Sequence, residues 1–152
     1  MLNERMMECA NIAADICGVP AEWIYAQWAH ESTNVTPGDP DQGKPFCSDL
    51  ARDQNNFGGL TQEEENDTPQ PDGRFYYMKF ASPEEYARYF GNYIRRWFPR
   101  AAAAKDIPEY VAGLKHQPDE DDPEQEYSYF GDAEETYFEG MMEAFKEAFI
   151  NA

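Results

Sequence analysis

The chain has 152 residues, of which 30 are acidic and 12 are basic, so its formal net charge is -18, and 41% of its residues are hydrophobic. This length suits a single domain with one hydrophobic core, which we expect to span residues 1–152 as a monomer. The negative field excludes nucleic acid and anionic membrane surfaces as partners, because affinity for both comes mainly from Lys and Arg.

Helical spacing predicts the first two elements. An amphipathic helix that ends at Gly18 is indicated by apolar residues recurring at steps of three and four: Leu2, Met6, Cys9, Ala13 and Ile16. A second helix is expected to begin after Pro20 and to run to about Ser32, with an apolar face formed by Ala21, Ile24, Tyr25, Trp28 and Ala29.

The cysteines predict no disulfide within the first helix. Cys9 and Cys17 are ~12 Å apart at the usual helical rise, which is too far for a bond between them. At most one disulfide is possible, and it would use Cys47. We favour three free thiols, with the helical pair as small core residues.

The middle of the chain predicts a loop followed by a hairpin. Residues 34–46 contain three prolines and two glycines, which exclude regular structure. Residues 62–78 combine a polar acidic arm, the turn signal Pro71-Asp72-Gly73 and a β-prone run, and together these features indicate a small β-hairpin.

Three more helices are predicted after the hairpin. The first begins at Ser82 with a capping box, carries an aromatic face and ends at Pro99. A short helix is expected over Ile107 to Leu114, and a longer one over Asp132 to Phe149. The predicted fold is therefore mainly α (α+β), with one small β element.

An acidic segment separates the last two helices. Gln117 to Glu126 carries six carboxylates and two prolines. We expect a solvated loop here and not a calcium site, because the spacing and closing glycine of a calcium loop are missing.

Glu31 is the first candidate for chemistry. It lies within ~60° of Ile24 and Trp28 around the helix axis, so it shares their apolar face. A carboxyl group in that environment loses the hydration of its charged form, which raises its pKa and favours a general acid. The alternative is an exposed Glu at a frayed helix end.

Four short motifs carry a resemblance to a known family. Residues 26–32 read Ala-Gln-Trp-Ala-His-Glu-Ser, residues 55–60 read Asn-Asn-Phe-Gly-Gly-Leu, and residues 129–132 read Tyr-Phe-Gly-Asp. With the aromatic segment 86–90, these resemble, in the same order, the bacterial glucosaminidases of glycoside hydrolase family 73. The two central residues of the third motif depart from the family's Tyr-Ala-Thr-Asp.

The resemblance implies a lysozyme-like helical domain whose β-hairpin lobe lies beside an active-site cleft. It implies that Glu31 is the general acid and that a second carboxylate comes from residues 63–67, where we choose Glu65 over Glu64 and Asp67. The substrate's own acetamido group is the alternative to any of these carboxylates.

Further site residues follow from the same resemblance. Tyr129 is expected to act in the cleft, with core packing as the alternative. Asp132 is either a substrate contact or, as we favour, the N-cap of the final helix. The other expected substrate-binding residues are Trp28, Asn55, Asn56, Phe57 and Gly58.

The function implied is that of an endo-β-N-acetylglucosaminidase, with peptidoglycan or another N-acetylglucosamine-containing glycan as its partner. Neither a cofactor nor a metal is expected, since His30 and His116 are too few for a zinc site. The alternatives are a lytic transglycosylase on the same fold and a non-catalytic glycan-binding or structural domain of a phage or envelope protein. We expect no signal peptide, because the first residues of the sequence lack its charged-then-apolar layout. Action at the cell wall would then imply an excised domain, a phage-borne protein or another export route.

Overall fold

The computed structural model describes residues 2–32, 61–62, 76–77 and 79–150. These residues form six helices and two small antiparallel strand pairs, which confirms the predicted mainly α class with a small β component. In chain order the elements are α1 (Glu4–Cys17), α2 (Ala21–Ser32), β1 (Thr61–Gln62), β2 (Tyr76–Tyr77), α3 (Pro83–Trp97), α4 (Pro99–Ala102), α5 (Ile107–Lys115), β3 (Gln117–Pro118), β4 (Glu126–Tyr127) and α6 (Glu134–Phe149).

The first two helices have the predicted bounds. The Asn3 side chain caps α1 by accepting a hydrogen bond from the backbone N–H of Met6 at 3.0 Å. Gly18 ends α1 in the left-handed conformation, with φ of 81°, and its N–H donates to the carbonyl oxygen of Ala14. The two-residue gap that follows leads directly into α2.

The predicted hairpin is confirmed where it is described. β1 and β2 pair antiparallel, with Thr61 opposite Tyr77 and Gln62 opposite Tyr76. The turn at residues 71–73 and the loop at residues 34–46 lie outside the described residues, as does Cys47. Cys9 and Cys17 are buried free thiols, as predicted.

α3 begins with the predicted cap and ends close to the predicted residue. The Ser82 hydroxyl accepts a hydrogen bond from the N–H of Glu85 at 3.1 Å, and the Glu85 carboxylate accepts one from the N–H of Ala81 at 2.8 Å. After Trp97 the chain bends at Phe98, and Pro99 then opens the short helix α4.

Two details of the C-terminal half correct the sequence prediction. The N-cap of α6 is Ala133, and no side chain caps the helix, so the expected capping role of Asp132 is wrong. The acidic segment is exposed over much of its length, but its ends pair as β3 and β4, with Gln117 opposite Tyr127 and Pro118 opposite Glu126. The segment is therefore a short hairpin and not an irregular loop.

The core is formed where α1 packs against α2 and α3 and where α2 packs against α6. Gly91 permits the close approach of α1 to α3, because a Cβ at this position would lie 2.9 Å from the Ala13 carbonyl oxygen. The largest fully buried side chains include Trp28, Tyr25, Tyr86, Tyr110, Tyr137 and Phe90. No helix in the described part of the chain is long and apolar enough to cross a membrane.

Candidate active site

Glu31 lies in the last turn of α2, where this helix packs against α6. The hydroxyl of Tyr137, on α6, donates a hydrogen bond to its Oε1 at 2.6 Å. Its Oε2 is buried and accepts no hydrogen bond from any described residue. Among the described residues, one carboxyl oxygen is therefore fixed by a single donor, and the other is buried without a hydrogen-bond partner.

Burial raises the pKa of Glu31 from 4.5 to about 8, and the hydrogen bond from Tyr137 acts in the opposite direction. Desolvation dominates because the charged carboxylate loses its hydration and gains only one donor in return. At neutral pH this carboxyl group therefore holds its proton. Protonation of Glu31 is the property that general-acid chemistry requires.

Four tyrosines interact electrostatically with this carboxyl group: Tyr86, Tyr110 and Tyr137, which are buried, and Tyr129, which is partly buried with a buried hydroxyl group. The pKa of each is raised well above its ordinary value, mainly by burial, and the negative charge of Glu31 raises each one further. These phenols remain neutral at any physiological pH. They supply polar hydroxyl groups around Glu31 without supplying a countercharge.

Gln27 connects two of these tyrosines. It lies one turn before Glu31 on α2 and is fully buried. Its Oε1 accepts a hydrogen bond from the hydroxyl of Tyr110, on α5, and its side chain lowers the pKa of Tyr137. Gln27 therefore joins α5 to the tyrosine that donates to Glu31.

Tyr137 is held in place by aromatic contacts on two sides. The ring of Phe130 stacks on it with centroids 3.9 Å apart and planes 6° apart, and His30 meets it edge-on with centroids 5.0 Å apart. Gly140 leaves the room for His30, because a Cβ at Gly140 would overlap the imidazole ring. These contacts fix the direction in which the Tyr137 hydroxyl points.

Lys115 holds the segment that carries Phe130. Its Nζ donates to the carbonyl oxygens of Phe130, Gly131 and Asp132 at 3.3, 3.4 and 2.8 Å. The same ammonium lies 5.1 Å from the centroid of the Phe130 ring. The half-buried Lys115 side chain thus holds in place the segment that supports Tyr137 and, through it, Glu31.

The structure places the other predicted site residues as follows. Trp28 has 0% exposure and packs edge-on against Tyr86 and Phe90, with both pairs of centroids 5.3 Å apart. The structure therefore places this ring in the core, and its expected contact with substrate stays a prediction. Asp132 is exposed, and its carboxylate acts on His30, whose pKa it raises against the larger lowering by burial.

Tyr129 packs against the core and lies near Glu31, while its expected role in the cleft stays a prediction. Its ring packs in the core, 5.8 Å from Phe98, 6.2 Å from Phe90 and 6.4 Å from Tyr93 between centroids. Its buried hydroxyl lies near Tyr86, whose pKa it lowers, and within the electrostatic reach of Glu31. The structure therefore brings Tyr129 and Glu31 together, with the phenol facing inward.

Several predicted residues lie outside the described part of the chain. These are the candidates for the second carboxylate, Glu64, Glu65 and Asp67, and the expected substrate-binding residues Asn55, Asn56, Phe57 and Gly58. Their roles remain predictions.

Sequence reasoning missed Gln27, Tyr110 and Tyr137 as parts of the site. Gln27 offered a signal, because a polar residue four positions before Glu31 on the same apolar face must find a buried partner. Tyr137 offered none, since 106 residues separate it from Glu31 and only the packing of α6 on α2 brings them together.

In the described residues, no group of three or more His, Cys, Asp or Glu side chains is arranged to hold a metal ion. Comparison with protein-family models, with curated proteins and with solved structures finds no match.

Proposed function

We propose that this chain is a glycoside hydrolase that cuts β-1,4 bonds in peptidoglycan glycan strands, as an endo-β-N-acetylglucosaminidase with Glu31 as general acid. The observation that carries the proposal is a buried carboxyl group with a pKa of about 8 on the helix where the glucosaminidase-like motif lies. Such a group supplies a proton at neutral pH to the leaving oxygen of a glycosidic bond.

The two oxygens of Glu31 have different tasks in this mechanism. Oε1 already accepts the Tyr137 hydrogen bond, so the transferable proton belongs on Oε2, which has no described partner. As the proton leaves, negative charge develops on the carboxylate, and the Tyr137 hydroxyl stabilises that charge. A sugar oxygen can reach Oε2 only when the side chains that cover it move, as cleft enzymes commonly allow.

The second catalytic group in this proposal is Glu65 acting on a water molecule, with Glu64 and Asp67 as substitutes. The alternative is the acetamido group of the substrate, which needs no second carboxylate. The substrate is an N-acetylglucosamine-containing glycan, and the proposed place of action is the cell wall.

A lytic transglycosylase is the second candidate. It is favoured by one observation: among the described residues, no other carboxylate contributes to the pKa of Glu31. A mechanism with one acid and no activated water fits such a site. The two reactions differ in their products, because hydrolysis adds a water and transglycosylation leaves an anhydro sugar.

The test is digestion of purified cell walls followed by mass spectrometry of the soluble fragments. We expect wild-type protein to release fragments one water heavier than anhydro products. Glu31→Gln should be slower by ~1,000-fold, within the range for loss of general-acid catalysis. Glu22→Gln, an exposed change on the same helix, is the matched control.

Anhydro products would replace the hydrolase with the transglycosylase. Wall binding without any release would identify a non-catalytic glycan-binding domain. A Glu31→Gln variant that keeps a tenth of wild-type turnover would remove Glu31 from the mechanism.

A further inference from the structure

Two large aromatic side chains are exposed next to each other at the far end of α3. Trp97 and Tyr127 are each 42% exposed, and their ring centroids lie 6.1 Å apart with an interplanar angle of 73°. Exposed apolar rings are costly in water, and a pair of them in contact commonly marks a binding surface.

These rings lie in an open groove between two walls. Arg96 and Trp97, at the end of α3, form one wall, and residues 119–121 with Tyr127, in the β3–β4 hairpin, form the other. The groove contains neither Glu31 nor any of the four tyrosines around it. It is therefore a separate feature of the surface.

We propose that this groove is a second carbohydrate site, which holds a strand of β-1,4-linked N-acetylated amino sugars outside the Glu31 pocket. The choice of a glycan as the occupant rests on the proposed function. Arg96 covers one face of the Trp97 ring, so a pyranose ring would pack its C–H face against the remaining exposed surface of Trp97 and against Tyr127. A strand bound here stays attached between successive cuts.

Of the three carboxylates that line the groove, one holds the Tyr127 ring in place and two are exposed. Asp119 accepts hydrogen bonds from the Tyr127 hydroxyl at 2.9 Å and from the backbone N–H of Asp121 at 2.8 Å, so it fixes the position of the Tyr127 ring. Glu120 and Asp121 are exposed beside it. A carboxylate accepts two hydrogen bonds, which suits the neighbouring hydroxyl groups of a sugar.

Arg96 favours a neutral sugar over a cationic ligand. Its guanidinium carbon lies 4.5 Å from the centroid of the Trp97 ring, so the cation-binding position over that ring is already taken. An ammonium ligand attracted by the hairpin carboxylates would meet this positive charge. A neutral saccharide would instead accept hydrogen bonds from it.

The experiment titrates the ¹⁵N-labelled full chain with N-acetylglucosamine tetramer and follows the indole N–H signals of the three tryptophans. The Trp97 signal is assigned from its loss in Trp97→Phe. We expect this signal to shift in a saturable way, equally at low and moderate salt, in both wild-type protein and Glu31→Gln.

A second measurement compares retention on insoluble cell walls. Trp97→Ala should bind roughly tenfold more weakly, the scale of one lost aromatic contact, and Trp97→Phe should recover most of the loss. Tyr89→Ala is the matched control, since Tyr89 is 39% exposed on the same helix but outside the groove. Its wall retention should equal that of the wild type.

Two results would overturn the proposal that this groove binds a sugar. A Trp97 signal that is silent toward the tetramer and toward a lysine-rich peptide means that the groove binds neither. A signal that moves only with the peptide, and reverts in salt, assigns a cationic ligand instead.

The two proposals fail separately. If Trp97 responds to the tetramer but walls are never cut, the sugar site stands and the proposed enzyme falls. If walls are cut by a Glu31-dependent reaction while Trp97 is silent, the enzyme stands and the groove has no role in sugar binding.

Discussion

Tyr137 and Tyr127 each donate a hydrogen bond to a carboxylate, in two regions of the molecule that differ in their access to water. The first bond reaches Glu31 at 2.6 Å in the interior, and the second reaches Asp119 at 2.9 Å at the surface. The pKa of Glu31 is nevertheless raised to about 8, whereas the pKa of Asp119 is lowered by the backbone N–H of Asp121 and by Tyr127. Burial, and not the tyrosine, decides which carboxyl group keeps its proton.

The difference explains why acidic composition alone says little about catalysis. The chain has 30 Asp and Glu residues, and those of the 117–127 hairpin lie at the surface, in contact with solvent. Glu31 differs because its neighbours are phenols and rings that cannot replace lost water. A proton donor at neutral pH arises from this environment.

The largest expected effect is on the pH dependence of stability in Glu31→Gln. Because the pKa of Glu31 rises from 4.5 to about 8 on folding, the folded chain binds a proton that the unfolded chain has released between these values. The stabilisation is complete below the unfolded pKa and is lost as pH rises through the folded pKa. Wild type should lose up to ~1.4 kcal/mol per pH unit across this window, while the variant does not.

Urea unfolding of both proteins at about pH 5 and about pH 8 measures this difference. The slope with pH is the test, since a buried amide has its own desolvation cost. Glu22→Gln, at an exposed position of α2, should change stability little at either pH. A gap between wild type and Glu31→Gln that is the same at both pH values would place Glu31 in solvent.

Tyr137→Phe should have the next largest effect. It removes the one hydrogen bond that lowers the pKa of Glu31 and keeps the ring that stacks on Phe130. The pKa of Glu31 should rise by about one unit. The high-pH limb of the activity profile should then move to higher pH, because Glu31 keeps its proton up to a higher pH.

Tyr129→Phe is the comparison for this experiment. Tyr129 is also a buried phenol near Glu31, but its hydroxyl makes no hydrogen bond to that carboxyl group. Tyr129→Phe should therefore move the high-pH limb of the activity profile less than Tyr137→Phe does. Equal shifts from both variants would mean that the general polarity of the pocket, and not the Tyr137 bond, sets the pKa.

The smallest effect on stability is expected from Tyr127→Phe, which removes the tyrosine hydroxyl from the surface pair of Tyr127 and Asp119. It removes one of the hydrogen bonds that lower the pKa of Asp119, so this pKa should move toward its ordinary value. Thermal unfolding should be unchanged, because solvent replaces the lost donor. A clear fall in melting temperature would show that the hairpin depends on this bond.

Much of the fold follows from the sequence because its signals are local. Gly18 at the end of α1 and Ser82 before α3 are capping residues, and the structure uses both in that role. Asp132 carries an equally good local signal and fails, because Lys115 binds the backbone of residues 130–132 and α6 begins after Ala133. A tertiary contact outweighs the local preference there.

The site is predictable only in part, for the same reason. The position of Glu31 on the apolar face of α2 follows from helical spacing, which left an exposed position at the helix end as the alternative, and burial in the structure accounts for the raised pKa. Trp28 was expected to meet substrate, yet the same spacing already placed it with Ile24 in the core, where both are fully buried. The bond from Tyr137 depends on how α6 packs on α2, which no local pattern encodes.

The most direct test is the titration of the Glu31 side-chain carboxyl group itself by ¹³C NMR. Glutamate-labelled protein is followed across the pH range, and the Glu31 signal is assigned by its loss in Glu31→Gln. We expect one glutamate carboxyl group to titrate at about 8, far above the ordinary value of 4.5. A Glu31 signal that titrates near 4.5 would contradict the account, because the residue would then be a charged carboxylate at neutral pH with no proton to donate.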